Sequence, residues 1–307
     1  MARRWLSLVL VVAVPLPGCY REVAGPVSGA GLTRVVLTDA PLSSGSIERV
    51  EVYVAAVAAS TTEDGTAGDW ITIATPERRF DFAALQQGRT ALAGSGVLPA
   101  GTYRAVRMTV RGDSSTVVYA DGSQARVRWP APDPFTIRAS VAAPVAIPPA
   151  GSVIVLDLDV TRSFTAAFEP LFDLTFIPQL RAVDAAVTGG LAGSVFGATA
   201  GGAPRPVAFA TIRALRGRAP DPGALRVTGR TDATGGYLVG FLPSGVYTVE
   251  IAAPPGAGLG PITVPDVLIA AGAESRLQVI LPRLVGANGA PPTFTLTQGP
   301  PHGPHPR

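Results

Sequence analysis

The chain has 307 residues, 47% of them hydrophobic and 15% charged, which is too apolar for a disordered protein. Its 35 glycines and 30 prolines make about a fifth of the whole, above the usual roughly 12%, and disfavour a helical fold in favour of a turn-rich β protein. All 25 basic residues are arginine, the two histidines are His302 and His305, and Cys19 is the one cysteine, which excludes an internal disulfide framework, a cysteine-cluster metal site and a lysine-dependent phosphate loop.

At the N-terminus, Arg3 and Arg4 precede an apolar stretch from Trp5 to Leu16. It is too short to span a bilayer, which takes about 20 residues, and has the form of an export signal. The run Leu16-Pro17-Gly18-Cys19 that follows resembles the lipobox of bacterial lipoproteins, where cleavage falls before a cysteine carrying diacylglycerol. The resemblance implies a signal peptide over 1–18 and lipidation of Cys19, with the membrane as partner through acyl chains. Tyr20 stands where an Asp commonly retains lipoproteins at the inner membrane, so the outer membrane is favoured if the organism has one. Without residues 1–18 the chain carries 23 Arg against 22 acidic residues, a net +1, and the arginines are spread along it. No nucleic-acid partner is expected from such a balance. Residues 19–31 are small and flexible and read as a tether.

Residues 32–183 hold short β-branched runs separated by Gly, Pro, Asp and Ser, the spacing of a sandwich or barrel. Val50, Val52 and Val54 share one strand face, and Val106, Met108 and Val110 alternate with Arg107 and Thr109. Near the end, Ile154, Leu156, Leu158 and Val160 oppose Val153, Val155, Asp157 and Asp159, which predicts one buried and one wet face. The one helical turn expected lies in Phe80–Gln87, closed by Gly88. This region resembles a bacterial family catalogued as domain of unknown function 4382, common in exported lipoproteins. The resemblance is carried by Leu37-Thr38-Asp39-Ala40-Pro41, Phe80-Asp81-Phe82 with Leu85 and Gly88, Leu98–Tyr103, and Asp157-Leu158-Asp159 with Ile177-Pro178. It implies no particular activity.

Residues 184–190 are a small-residue break and read as a linker. A second domain is expected over 191–283. Its series Leu191–Gly197, Pro206–Ile212, Thr231–Tyr237 and Leu242–Val249 resembles the carboxypeptidase regulatory-like domain, a small transthyretin-like or Ig-like sandwich. Asp232 suits an Asx turn, Gly235 and Gly236 a positive φ, and Pro243 with Gly245 the turn into a tyrosine-bearing strand. Leu-Pro-x-Gly-x-Tyr occurs at Leu98–Tyr103 and again at Leu242–Tyr247, read as one turn solution reached twice. Residues 284–307 lack periodicity and read as a disordered tail. The fold expected is therefore all-β, with two β-sandwich domains in tandem.

Chemistry is sparse. With both histidines in the tail and Cys19 acylated, a nucleophilic triad is absent. Asp157 and Asp159, two residues apart on a strand, stand about 6–7 Å apart, near the separation of paired glycosidase carboxylates. With Asp39 they would otherwise suit Ca²⁺, although a solvated strand face or structural hydrogen bonding explains them more simply and no cofactor is expected. Trp70, Trp129, Tyr53 and Tyr119 are the aromatics that would stack on a sugar if they are not core. The sequence thus reads as a lipid-anchored envelope protein with a structural or ligand-binding role and no catalysis, its further partner a surface glycan or another envelope protein. The alternative is a secreted carbohydrate-binding or carbohydrate-hydrolysing protein working through Asp157, Asp159 and the aromatics.

Overall fold

The structure, a computed structural model, describes residues 29–39, 47–65, 69–217, 225–284 and 293–298. The signal peptide, Cys19, most of the tether and both histidines lie outside these residues. The fold is nearly all β, as expected. In the first domain one five-stranded sheet runs in the order Ser140–Val141, Leu180–Asp184, Ser152–Leu158, Ala30–Asp39, Ala91–Pro99. The second is built on Ile47–Ser60, which pairs with Ala105–Tyr119, Ile71–Ala74 and Arg78–Asp81, while Phe135–Arg138 extends the other side of Ala105–Tyr119. The period-2 alternation explains how they close on each other. Val50, Val52, Val54, Val106, Met108 and Val110 all point inward with no exposure, against Val35, Leu37, Ile154, Leu156 and Leu158 of the facing sheet.

Phe80–Gln87 yields a strand end followed by one 3₁₀ turn, Phe82–Leu85, rather than an α-helix. Asp81 starts the turn by accepting a hydrogen bond from the Ala83 N–H at 3.1 Å. Gly88 follows with φ +74°, and a Cβ there would lie 2.8 Å from Leu238 of the second domain. Two further turns, Val160–Ser163 and Ala185–Val187, carry no periodic apolar signal in the sequence.

The second domain faces two sheets across its own core. One contains Thr188–Gly197, paired parallel with Glu274–Leu281 and antiparallel with Gly236–Pro243, and the other runs Arg226–Arg230, Thr211–Arg216, Gly245–Ala252, Ile262–Ile269. Its apolar cluster, from Leu191 to Leu281, is separate from that of the first domain, which ends at Ala182. The break expected at 184–190 falls between these cores, but its backbone is regular. Asp184 ends a strand and caps the 3₁₀ turn Ala185–Val187, and Thr188, Gly189 and Gly190 already pair within the second domain. A further correction concerns the tail. Thr293–Gln298 pairs antiparallel with Glu274–Leu281 as an edge strand, and Leu296 packs on the core. The alternation in Thr-Phe-Thr-Leu-Thr is the signal that supports it.

Both Leu-Pro-x-Gly-x-Tyr elements adopt one solution. The Tyr103 hydroxyl donates to the Pro99 carbonyl at 3.0 Å and the Tyr247 hydroxyl to the Pro243 carbonyl at 2.6 Å, with each tyrosine buried behind its buried leucine. Burial pushes the Tyr247 hydroxyl up to about 12. Because the native state holds the neutral phenol more strongly than the unfolded chain does, this stabilisation is present below the unfolded value near pH 10 and is lost as pH rises through about 12. Tyr247→Phe is expected to cost about 1–2 kcal/mol at pH 7 by leaving the Pro243 carbonyl unpaired, and to flatten the alkaline fall in stability measured by urea denaturation between pH 9 and pH 12.

The Asp232 turn also forms as read. Its Oδ1 accepts from the Thr234 N–H at 2.8 Å, the Thr234 hydroxyl at 2.7 Å and the Gly236 N–H at 3.0 Å. Of the two glycines expected to need positive φ, Gly235 has it at +81°, while Gly236 lies outside that region. Hydrogen bonds from Thr234 hold the Asp232 carboxyl below the usual range.

Candidate functional site

The predicted wet face of Ser152–Leu158 is covered. Val155 is fully buried and Asp157 is only 5% exposed, because this side of the first sandwich docks on the second domain. Arg181, on the neighbouring strand directly opposite Asp157, fixes the contact. Its Nε donates to Asp157 Oδ2 at 2.7 Å, and its Nη1 reaches the Phe241 carbonyl of the second domain at 2.9 Å. Asp157 Oδ1 is buried without a hydrogen-bond partner.

Asp159 does not share a strand face with Asp157. The strand stops at Leu158, and Asp159 caps the turn Val160–Ser163, accepting from the Arg162 N–H at 3.0 Å. Val160 therefore belongs to that turn and not to the strand's buried face. Burial, reinforced by the charge of Asp157, raises the Asp159 carboxyl above its ordinary value despite the cap hydrogen bond, so the expectation of an ordinary solvated carboxylate does not hold. Asp39 accepts from the Val160 N–H at 2.9 Å, tying the end of its strand to the same turn. Each of the three carboxylates thus takes up a backbone donor or a guanidinium. Among the described residues no group of three or more His, Cys, Asp or Glu side chains is placed to hold a metal ion.

The four aromatics are likewise engaged. Trp129 packs at the edge of the first core with Phe135, Phe164 and Phe176, at ring-centroid distances of 6.4, 5.8 and 5.0 Å. Tyr119 packs on the same core. Trp70 donates to the Gly65 carbonyl at 2.8 Å and lies under the Arg107 guanidinium at 4.3 Å, with Arg138 at 5.9 Å. Tyr53 donates to Glu77 at 3.1 Å and has Arg111 over its ring at 5.8 Å. These rings carry arginines or pack against neighbours, so a row of bare stacking platforms is not formed.

What the docking creates instead is a cleft of about 780 Å³ at the domain junction. Arg138, Arg162 and Arg181 reach it from the first domain, with Asp157 and Asp159, and Arg216 and Arg226 reach it from the second, beside Thr228. Five arginines and two aspartates thus line one cleft. These arginines are scattered over nearly ninety positions of sequence, so no local motif marks them. The absence of lysine is the one signal in the sequence, since it leaves every cation as a planar, bidentate donor.

None of the curated proteins matches the chain. Among solved structures, the chain is similar to transthyretin from Sparus aurata, at 20% identity over 36% of this chain and 97% of that one, TM-score 0.25. A minor pilin of Streptococcus agalactiae is 12% identical over 84% of this chain and 99% of its own, TM-score 0.26. The major pilin subunit of Bacillus cereus is 10% identical over 82% of this chain and 70% of its own, TM-score 0.22. Independently of these, residues 30–173 match the family model described as Domain of unknown function (DUF4382), in agreement with the resemblance read from Leu37–Pro41, Phe80–Gly88 and Leu98–Tyr103.

Proposed function

We propose that the protein is a non-catalytic module of the bacterial envelope, exported and held at a membrane by lipid on Cys19, that presents two docked β-sandwiches. The observation that carries the non-catalytic part is the commitment of its carboxylates. Asp157 pairs with Arg181, Asp159 caps a turn, and Asp39 and Asp184 receive backbone N–H groups, so each is spent on architecture. Asp157 with Asp159, the one pair that spacing suggested for acid–base work, is split between a strand and a cap. The anchoring part rests on Leu16-Pro17-Gly18-Cys19 behind its apolar run. Two or more acyl chains suffice for stable attachment at about 0.8 kcal/mol per buried methylene.

Cells expressing the full chain are expected to incorporate labelled palmitate into it, and Cys19→Ala is expected to abolish the label. Retention of label in the variant would refute the anchor. The same purified protein should show no turnover on glycoside, ester or peptide panels, whereas turnover lost in Asp157→Asn with the fold retained would restore a hydrolase reading.

A further inference from the structure

We propose that the cleft between the domains binds a small polyanion, a ligand with two or more carboxylate or phosphate groups, gripped by arginines from both walls. This goes beyond the envelope reading and does not depend on Cys19.

The charge distribution supports it first. Elsewhere four arginines are paired with acids: Arg126 with Asp173, Arg128 with Glu169, Arg213 with Glu250, Arg276 with Glu274. Five arginines and two aspartates line the cleft, and one of the aspartates, Asp157, is already paired with Arg181. Concave, low-dielectric walls concentrate the resulting positive field, and the mutual repulsion of the arginines is relieved by a bound anion.

The second support is which donors remain. Arg181 is occupied by Asp157 and the Phe241 carbonyl, Arg216 donates to the Ser244 carbonyl, and Arg138 donates to the Asp64 carbonyl. Arg162 and Arg226 are exposed, and neither side chain makes a hydrogen bond within the described residues. They stand on opposite domains. A ligand that satisfies both forks needs two oxyanion groups, since each planar guanidinium matches one carboxylate or phosphate edge. The volume of about 780 Å³ falls in the range of small-molecule sites, and Thr228, Ser140 and Gln179 add neutral side chains to its lining.

Titration calorimetry of the detergent-solubilised full chain with citrate and with inorganic diphosphate, at fixed ionic strength, tests this. Saturable binding of either is expected, with acetate much weaker. Arg162→Gln and Arg226→Gln should each weaken it about tenfold, the loss of one charge-assisted hydrogen-bonded contact. Both side chains are exposed, so the variants should melt with the wild type. Citrate binding assigns carboxylate as the oxyanion and diphosphate binding assigns phosphate. Absence of saturable heat with both probes, or unchanged affinity in both variants, would overturn the proposal.

Discussion

Arg181→Ala is expected to destabilise the protein by about 3 kcal/mol, the lower end of the roughly 3–5 kcal/mol lost when one partner of a buried ion pair is removed. The pair is buried on both sides, with side-chain exposures of 11% for Arg181 and 7% for Asp157. Removing the guanidinium leaves Asp157, whose Oδ1 already lacks a partner, with neither oxygen satisfied at the domain junction. It also removes the hydrogen bond to the Phe241 carbonyl, and with it a link between domains that keep separate cores. Calorimetry should therefore show a lower first transition, by about 6–12 °C at 2–4 °C per kcal/mol, and a wider gap between the melting of the two domains. The double variant Arg181→Met with Asp157→Leu should recover most of the loss, because an apolar pair of similar volume has no charge to desolvate. If the single variant melts like the wild type, the pair does not hold the junction.

What the sequence revealed and what it hid divide along one line. Features decided within a few residues were legible. The valine alternation at Val50–Val54 fixed which face is core, the Asp232 turn is closed by its own carboxylate, and Leu-Pro-x-Gly-x-Tyr specifies the same tyrosine-to-carbonyl bond in both domains. Features decided by docking were not. The alternation at Val153–Asp159 correctly separates Ile154, Leu156 and Leu158 from Val155 and Asp157, yet period 2 says only that two faces differ. Whether the second face meets water or another domain depends on Phe241 and its neighbours, more than eighty positions away. Asp159 misled for a different reason, because an Asp at a strand end serves equally as the next strand residue or as the cap of a turn, and the backbone N–H of Arg162 decided for the cap. The arginine cleft inherits both difficulties, as its members belong to five separate elements or connections and face one another only once the sandwiches dock.

Gly193→Ala is expected to be the most damaging single methyl in the second domain. Gly193 lies in the strand Thr188–Gly197, where it pairs with Leu277 of the parallel neighbour and with Tyr237 on the other side. A Cβ there would lie 1.9 Å from the Leu277 carbonyl oxygen, 2.8 Å from its carbon and 3.0 Å from the Tyr237 hydroxyl. Two of these are backbone atoms of a central strand, so no rotamer change relieves the clash. The same Leu277 carbonyl accepts the buried Tyr237 hydroxyl at 2.8 Å, so displacing it also breaks that bond. Overpacking usually costs about 1–3 kcal/mol, and a clash with fixed backbone plus a lost buried hydrogen bond should bring the total to about 3 kcal/mol or more. Gly190, three residues earlier on the same strand, supplies the comparison. Its Cβ would meet nothing closer than Leu238 at 3.5 Å, an ordinary contact. Gly190→Ala should therefore stay within about 1 kcal/mol of the wild type, helped by the lower entropy of the unfolded chain. Urea denaturation followed by tyrosine fluorescence separates the two, since Tyr237 and Tyr247 both lie in this core. Equal midpoints for the two variants would mean that the strands at Gly193 are not packed as closely as the 1.9 Å approach requires.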